Sequence, residues 1–255
     1  MNEQSPLFEF DPEPGAVLDP SVRFPTGVLP ERLVLTFFPK ALAAFLERNE
    51  STKPWDMKTF ALAGHPVHVI QRQGQAVAFF ESGVGAPLAS GFLEELIALG
   101  ARKIMVCGGA GVLDKGITQG HLILPDSAIR DEGTSSHYLP PGREVAPDPR
   151  ALATLEAVLL GRKVPFLRGK TWTTDGLYRE TRSKIARRRG EGALCVEMEA
   201  AALFSVARFR KAQCAQLLYG GDDVSGETWD HRGWQENWGV QEMMLELCLE
   251  AVLGL

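Results

Sequence analysis

The sequence predicts a single α/β domain with a mixed central β-sheet and helices on both faces. Short β-rich runs alternate with helical stretches along most of the chain, which is typical of a sheet covered on both sides. The strand-like runs at residues 67–70 and 77–80 are spaced like the arms of a hairpin, so the sheet should contain antiparallel as well as parallel pairs. The 255 residues, 45% hydrophobic and 23% charged, suffice for one large domain with a buried core.

The individual elements follow from local composition and apolar spacing. Short apolar runs rich in β-branched and aromatic residues predict strands over residues 32–36, 67–70, 77–80, 103–107, 122–124, 169–173 and 215–219. Apolar residues three or four positions apart predict helices over residues 41–48, 88–99, 149–160, 181–189, 193–210 and 243–253. The helix from residue 193 is predicted from Val196, Ala200, Leu203 and Ala207, with no glycine or proline in that stretch.

The first 30 residues are rich in proline and acidic residues. We interpret residues 1–30 as an arm that belongs to the same domain and either wraps over its surface or reaches a neighbouring subunit. Residues 31–255 then form the single domain. The amino terminus lacks the basic and apolar regions of an export signal, and no apolar run approaches the length of a membrane span.

Charge and cysteine content narrow the function classes. The net charge of -5 argues against non-specific binding to nucleic acid or to an anionic membrane, and leaves small-molecule substrates open. The four cysteines form no CxxC pair, so neither a disulfide framework nor a zinc site is predicted. A reducing cytoplasm is the expected location.

Two carboxylates, Glu197 and Glu199, fall in the predicted helix from residue 193, most of which should be buried. The spacing places Glu199 on the flank of the apolar stripe, where an ionised group needs a partner, and a ligand rich in hydroxyls would supply one. For Glu197, an acid favoured by the helix dipole and an acid of a binding site both stay open.

Glycines follow three of the predicted strands. They are Gly83 and Gly85, then Gly108 and Gly109, then the pair at 220–221. Glycine lets a ligand approach the backbone closely, and ligands of α/β sheets bind at the carboxyl ends of strands. The third pair precedes two adjacent aspartates at 222 and 223, of which we expect one to be catalytic and one to form a turn or helix cap.

The chain resembles the nucleoside phosphorylase and uridine phosphorylase superfamily, which includes methylthioadenosine and S-adenosylhomocysteine nucleosidases. The resemblance runs from about residue 79 to 225. It rests on residues 81–87 (ESGVGAP), 108–111 (GGAG), 129–135 (IRDEGTS), 173–175 (TTD), 196–200 (VEMEA) and 221–222 (GD).

This resemblance implies cleavage of an N-glycosidic bond between ribose and a base. Glu199 would bind the ribose 2′- and 3′-hydroxyls, Met198 would pack on the sugar and Glu197 would support them. Asp222 would protonate or hydrogen-bond the departing base, and the glycines at 83, 85, 108 and 109 would lie near phosphate or base. No metal and no cofactor are implied, and a homo-oligomer, a dimer or hexamer, is expected.

The expected activity is phosphorolysis of a purine or pyrimidine ribonucleoside, giving free base and ribose 1-phosphate. Two departures bear on it: Val106 stands where the family usually has a phosphate-binding arginine, and residues 36–40 (TFFPK) replace the usual Gly-Asp-Pro loop. Hydrolysis by water and a catalytically inactive nucleoside-binding protein therefore stay open as alternatives. Trp172, Arg179, Glu180 and Arg182 are predicted base contacts.

Overall fold

The computed structural model describes residues 5–57 and 64–255. The strands in this part of the chain are β1 (Arg32–Thr36), β2 (Ser51–Met57), β3 (His65–Arg72), β4 (Gln75–Glu81), β5 (Lys103–Val112), β6 (Leu122–Asp131), β7 (Glu144–Val145), β8 (Phe166–Thr174), β9 (Ala193–Glu197) and β10 (Gln213–Asp223). The helices are α1 (Pro20–Arg23), α2 (Pro39–Glu47), α3 (Ala86–Leu99), α4 (Pro149–Gly161), α5 (Arg182–Gly190), α6 (Ala200–Phe209) and α7 (Trp238–Leu253).

The strands form one mixed sheet, as predicted. Strands β4, β1, β5 and β10 lie parallel in that order, while β3 and β2 continue the sheet antiparallel beyond β4. On the other side β10 pairs with β6, β6 with β8, β8 with β9, and β9 returns to β5. Because β5 also pairs with β10, these five strands close into a ring. The ring and the open part of the sheet share β5 and β10.

Helices cover both faces of the open part of the sheet, which also confirms the prediction. On β1, Leu33 and Leu35 pack in a core with α3 and α6, whereas Val34 faces a second core with α2, α4 and α7. This alternation is the period of two that a strand imposes on its side chains. Strand β1, buried on both faces, therefore reads as a continuous apolar run.

The predicted hairpin is present. Strands β3 and β4 pair from Val67 with Phe80 to Arg72 with Gln75, and residues 73–74 make the turn. Gln73 and Gly74 both have positive φ angles, 53° and 73°, as the right-handed twist of a two-residue hairpin requires.

The helix predicted over residues 193–210 is only partly present. Residues Ala193–Glu197 form β9, which pairs with β8 and β5, and the helix begins at Ala200. The apolar spacing that suggested one helix arises because Val196 faces the core from a strand while Ala200, Leu203 and Ala207 face it from a helix. Two glycine runs were also placed wrongly: residues 108–111 and 220–221 lie within β5 and β10 instead of in turns after them.

The described part of the arm contacts its own chain. The backbone N–H of Leu29 donates to the carbonyl of Leu99 at 3.1 Å, and Arg210 donates to the carbonyl of Pro14 at 2.7 Å. Residues 1–4 lie outside the described range. Within the described residues, none of the helices is both long enough and apolar enough to span a membrane.

Candidate active site

A cavity of 720 Å³ opens beside the region where the ring of strands joins the open part of the sheet. Its walls come from segments far apart in the sequence: residues 37–38 after β1, Val84 before α3, residues 108–111 of β5, residues 177–185 around the start of α5, residues 196–199, and residues 216 to 234 from β10 onward. The sheet topology thus brings together most of the motifs that were singled out in the sequence. Aromatic and aliphatic side chains make up much of the wall.

Glu197 lies at the end of β9 and is buried. Its carboxylate accepts hydrogen bonds from the hydroxyls of Thr171 and Thr173, at 3.3 and 2.6 Å, and from the backbone N–H groups of Glu199 and Ala200, at 2.7 and 2.6 Å. The last two groups are free N–H donors at the start of α6, so Glu197 caps this helix. Burial raises the pKa of Glu197, and these four donors oppose that shift because they favour the ionised form.

Glu199 is also buried, but it has fewer partners. Its carboxylate accepts one hydrogen bond from the backbone N–H of Gly85, at 2.5 Å, and lines the cavity together with Met198. Burial and the neighbouring charge of Glu197 raise the pKa of Glu199 well above its usual range. A carboxyl group with unused hydrogen-bonding capacity therefore faces the cavity.

The two adjacent aspartates have different surroundings. Asp222 lines the cavity and accepts a hydrogen bond from the indole N–H of Trp229 at 2.6 Å. Asp223 is buried, forms an ion pair with Arg232 at 2.7 Å and accepts from the backbone N–H of Ser225. These contacts hold the loop after β10, so Asp222 is the member available to a ligand.

Glu180 faces the same part of the cavity as Asp222. Its partial burial and the negative charge of Asp222 raise the pKa of Glu180 to about 7. This end of the cavity therefore carries a carboxyl group that holds a proton through part of the neutral pH range.

Of the other predicted base contacts, one lines the cavity and two do not. Arg182 lines the cavity, where it forms an ion pair with Glu227 at 2.7 Å. Arg179 is exposed in the short turn before α5 and is not part of the cavity wall. The prediction for Trp172 is wrong, because its ring is fully buried in the core between β8 and α5 and its N–H donates to Asp131 at 3.0 Å.

The four predicted glycines also have different roles. Gly108 and Gly109 line the cavity, where the absence of a side chain leaves space. Gly85 positions Glu199 through its N–H and has a φ angle of 103°, which favours glycine. Gly83 packs against Leu88, so closely that a Cβ atom would lie 2.2 Å from the side chain of Leu88.

The cavity wall is rich in carboxylates and poor in cations. Its acidic members are Glu180, Glu197, Glu199, Asp222 and Glu227. Within the described residues, Arg182 is the one lysine or arginine that lines the cavity, and it already pairs with Glu227. Also within residues 5–57 and 64–255, no group of three histidine, cysteine or acidic side chains is arranged to hold a metal ion.

A sequence profile of the phosphorylase superfamily matches residues 31–253. The chain belongs to the phosphorylase superfamily. This confirms the resemblance that was found in the sequence motifs.

Individual relatives are more distant: a guanosine phosphorylase from Halorubrum lacusprofundi is 28% identical over 53% of this chain and 56% of its own length. A uridine phosphorylase from Treponema pallidum is 28% identical over 56% of this chain and 59% of its own length. The matches thus span little more than half of these relatives.

Solved structures share the superfamily fold over most of the chain. A purine nucleoside phosphorylase from Toxoplasma gondii superposes with a TM-score of 0.77 at 19% identity, covering 94% of this chain and 97% of its own. An AMP nucleosidase from Bacteroides thetaiotaomicron gives 0.70 at 22% identity, covering 88% of each chain. At these identities the likeness shows the fold alone.

Among the residues of the cavity wall that were not predicted site residues are Trp229, Trp234 and Gln216. Trp229 and Trp234 line the cavity on the loop after Asp222, and the tryptophans clustered in that loop were the available signal. Gln216 lines it from β10, where it is a polar residue within the apolar run 214–219. Polar side chains inside such strands are worth testing as site residues in any chain.

Proposed function

We propose that this protein cleaves the N-glycosidic bond of a purine or pyrimidine ribonucleoside. The observation that carries the proposal is that Glu199 and Asp222 face one cavity of 720 Å³, a volume suited to a small molecule such as a nucleoside. The partly satisfied carboxyl group of Glu199 suits the 2′- and 3′-hydroxyls of ribose, and Met198 supplies an apolar contact for the sugar.

The charges that develop as the glycosidic bond breaks explain how the cavity wall could assist the reaction. As the glycosidic bond breaks, the ribosyl group becomes positively charged and the base negatively charged. The acidic wall around Glu199 stabilises the positively charged ribosyl group. Asp222 and Glu180 provide carboxyl groups that can hydrogen-bond the negatively charged base. Glu180, whose pKa is about 7, is suited to deliver a proton to the leaving base.

For the nucleophile, we propose water. A phosphate dianion requires cationic or multiple N–H donors, and the described cavity wall offers one arginine, already paired with Glu227. Phosphorolysis, the first expectation from sequence, is the second candidate, supported by the guanosine and uridine phosphorylases among the relatives. Phosphorylases of this superfamily use phosphate as a co-substrate and need no cofactor, in line with our expectation of none.

The proposal is tested by incubating the purified protein with inosine, guanosine, adenosine, uridine and methylthioadenosine, and measuring release of free base. Release from at least one ribonucleoside is expected, with a loss of about 100-fold or more in Asp222→Asn. Glu242→Gln, a surface substitution remote from the cavity, is the matched control and should keep full activity. Binding without base release from any nucleoside would instead indicate a nucleoside-binding protein.

We further propose a cytoplasmic homo-oligomer, a dimer or hexamer. Val17, Leu18 and Val22 of the arm are largely exposed apolar side chains, which a second copy would cover. Light scattering of the wild-type protein should give a mass above 27.9 kDa, and Leu18→Glu with Val22→Glu should lower it. A monomeric wild-type protein would contradict this proposal.

A further inference from the structure

We propose that the side-chain amide of Gln216 binds and orients the attacking water molecule in this cavity. This inference rests on the proposed function, since it assigns the nucleophile site of the same reaction. Gln216 is a residue that neither the sequence motifs nor the family comparison singled out. Three observations lead to it: its burial, its lack of partners and its position in the cavity.

The amide of Gln216 is an unusual buried group. The residue is 1% exposed, yet neither Nε2 nor Oε1 has a hydrogen-bond partner among the described residues. An unsatisfied buried polar group destabilises the folded protein by about 1–3 kcal/mol. Such a group in a cavity wall is best explained by a ligand that uses it.

The position of Gln216 places it away from the leaving base. A Cβ atom on Gly108 would lie 3.8 Å from Nε2 of Gln216, whereas one on Gly111 would lie 3.4 Å from Oδ1 of Asp222. Gly108 and Gly111 are three residues apart on β5, so their Cβ positions lie on opposite sides of the strand and roughly 10 Å apart along it. Gln216 and Asp222 therefore reach the cavity at separate points, and since Asp222 is the proposed contact of the base, the inferred water site is at the other point.

The chemistry of an amide selects water over phosphate. The amide accepts a hydrogen bond through Oε1 and donates through Nε2, which matches a water molecule, but it is neutral and cannot balance a dianion. Val106 is the residue of β5 that pairs with Gln216, and Phe37 lies next to Gly108 near the amide. Both side chains are apolar and add no charge at this position.

The proposed hydrolysis needs only the ribonucleoside, one water molecule and the acid that faces the base. The C1′–N bond breaks and its electron pair leaves with the base, which takes a proton from the acid at its end of the cavity. The water oxygen held by Gln216 forms the new C1′–O bond and then releases one proton to solvent. The products are free base and ribose, and solvent restores the proton of the acid.

The test compares Gln216→Leu with Leu218→Met, a buried control on the same strand that does not line the cavity. Gln216→Leu should lower kcat about 10- to 100-fold while the KM for the ribonucleoside changes less than about 3-fold. Its melting temperature should equal or exceed that of the wild type, because an unpartnered amide is replaced by an apolar group of similar size. The control should keep its kcat.

Competition with a second nucleophile distinguishes a role of Gln216 in orienting water from a purely structural role of this residue. With methanol added, the ratio of methyl riboside to ribose should rise in Gln216→Leu relative to the wild type, and should stay constant in Leu218→Met. Gln216→Met provides a second apolar variant if the leucine variant misfolds. An unchanged kcat and product ratio, or a raised KM for phosphate with ribose 1-phosphate as product, would overturn the inference while leaving glycosidic cleavage intact. No base release by the wild type would overturn both.

Discussion

Glu197 and Glu199 are two residues apart, and their hydrogen bonds separate their roles. Glu197 is buried, which raises its pKa, and it accepts from four donors that oppose this shift. Glu199 accepts from Gly85 and faces the cavity beside that charge. Burial raises the pKa of both carboxyl groups, and in the proposed reaction their negative charge is stabilised when a cationic ribosyl group forms.

Glu199→Gln tests this arrangement through stability and binding. The pKa of Glu199 is higher in the folded than in the unfolded chain, so the folded state binds more protons between the two values and stability falls as pH rises across that window. The amide removes this dependence, so the variant should be about 1–3 kcal/mol more stable than the wild type at pH 9. Ribonucleoside binding should be lost. Urea denaturation and calorimetric titration measure both, and a less stable variant at pH 9 would contradict the assignment.

Glu180 determines the expected pH dependence of activity. If the protonated carboxyl group assists departure of the base, kcat should fall as pH rises through about 7. Glu180→Gln should show a lower kcat with a flatter profile on the alkaline side. A profile that is the same in the variant and the wild type would assign the proton to another group.

Trp229 positions the acid at the same end of the cavity. Its indole N–H donates to Oδ2 of Asp222, so Trp229→Phe removes one hydrogen bond and keeps most of the aromatic surface. We expect kcat to fall about 10- to 150-fold, equivalent to loss of one hydrogen bond to a charged group. Trp238→Phe, an exposed tryptophan that does not line the cavity, is the matched control. Equal kcat values for the two variants would show that this hydrogen bond is dispensable.

At the scale of elements, the junction between β9 and α6 builds the site. The strand delivers Glu197 to the point where α6 begins, and the hydroxyl of Thr173 on β8 donates to Glu197 and accepts from the N–H of Ala201. The helix start therefore depends on a neighbouring strand, which fixes the backbone of Met198 and Glu199 at the cavity wall.

Thr173→Val should disrupt this junction. The substitution removes both hydrogen bonds and leaves a buried carboxylate less satisfied, which should cost about 1–3 kcal/mol of unfolding free energy and lower kcat. Ser205→Ala, a buried position on α6 whose hydroxyl donates to a helix carbonyl, is the control and should cost less than about 1 kcal/mol. Similar losses in the two variants would argue against a special role for the junction.

The same junction shows why the sequence predicted some elements and not others. Long segments with a single period, such as α3 and α4, were predicted close to their observed bounds. Helix α7 was predicted from residue 243 but begins at Trp238. At residues 193–210 a strand and a helix share one core, so their apolar residues fell by coincidence on a helical spacing. The strand is specified by pairing with β5 and β8, which are distant in sequence.

At the scale of the whole molecule, the closed ring of strands brings the motifs to one cavity. The sequence predicted the mixed sheet, the family, and Glu199, Met198 and Asp222 as site residues that the cavity does contain. It misplaced Trp172, because the face of β8 that carries this side chain is decided by packing against α5. It did not identify Gln216, for which the sequence signal is a polar residue in an apolar run; that its amide lacks partners is visible only after folding.

For the whole cavity, we propose that an acidic, cation-poor site cleaves a ribonucleoside with water. The most direct test is to identify the sugar product formed by the wild-type protein at saturating phosphate, by chromatography alongside the free base. We expect ribose in the same amount as the base and no ribose 1-phosphate, with the rate unchanged when phosphate is omitted. Ribose 1-phosphate in the same amount as the base would contradict the account.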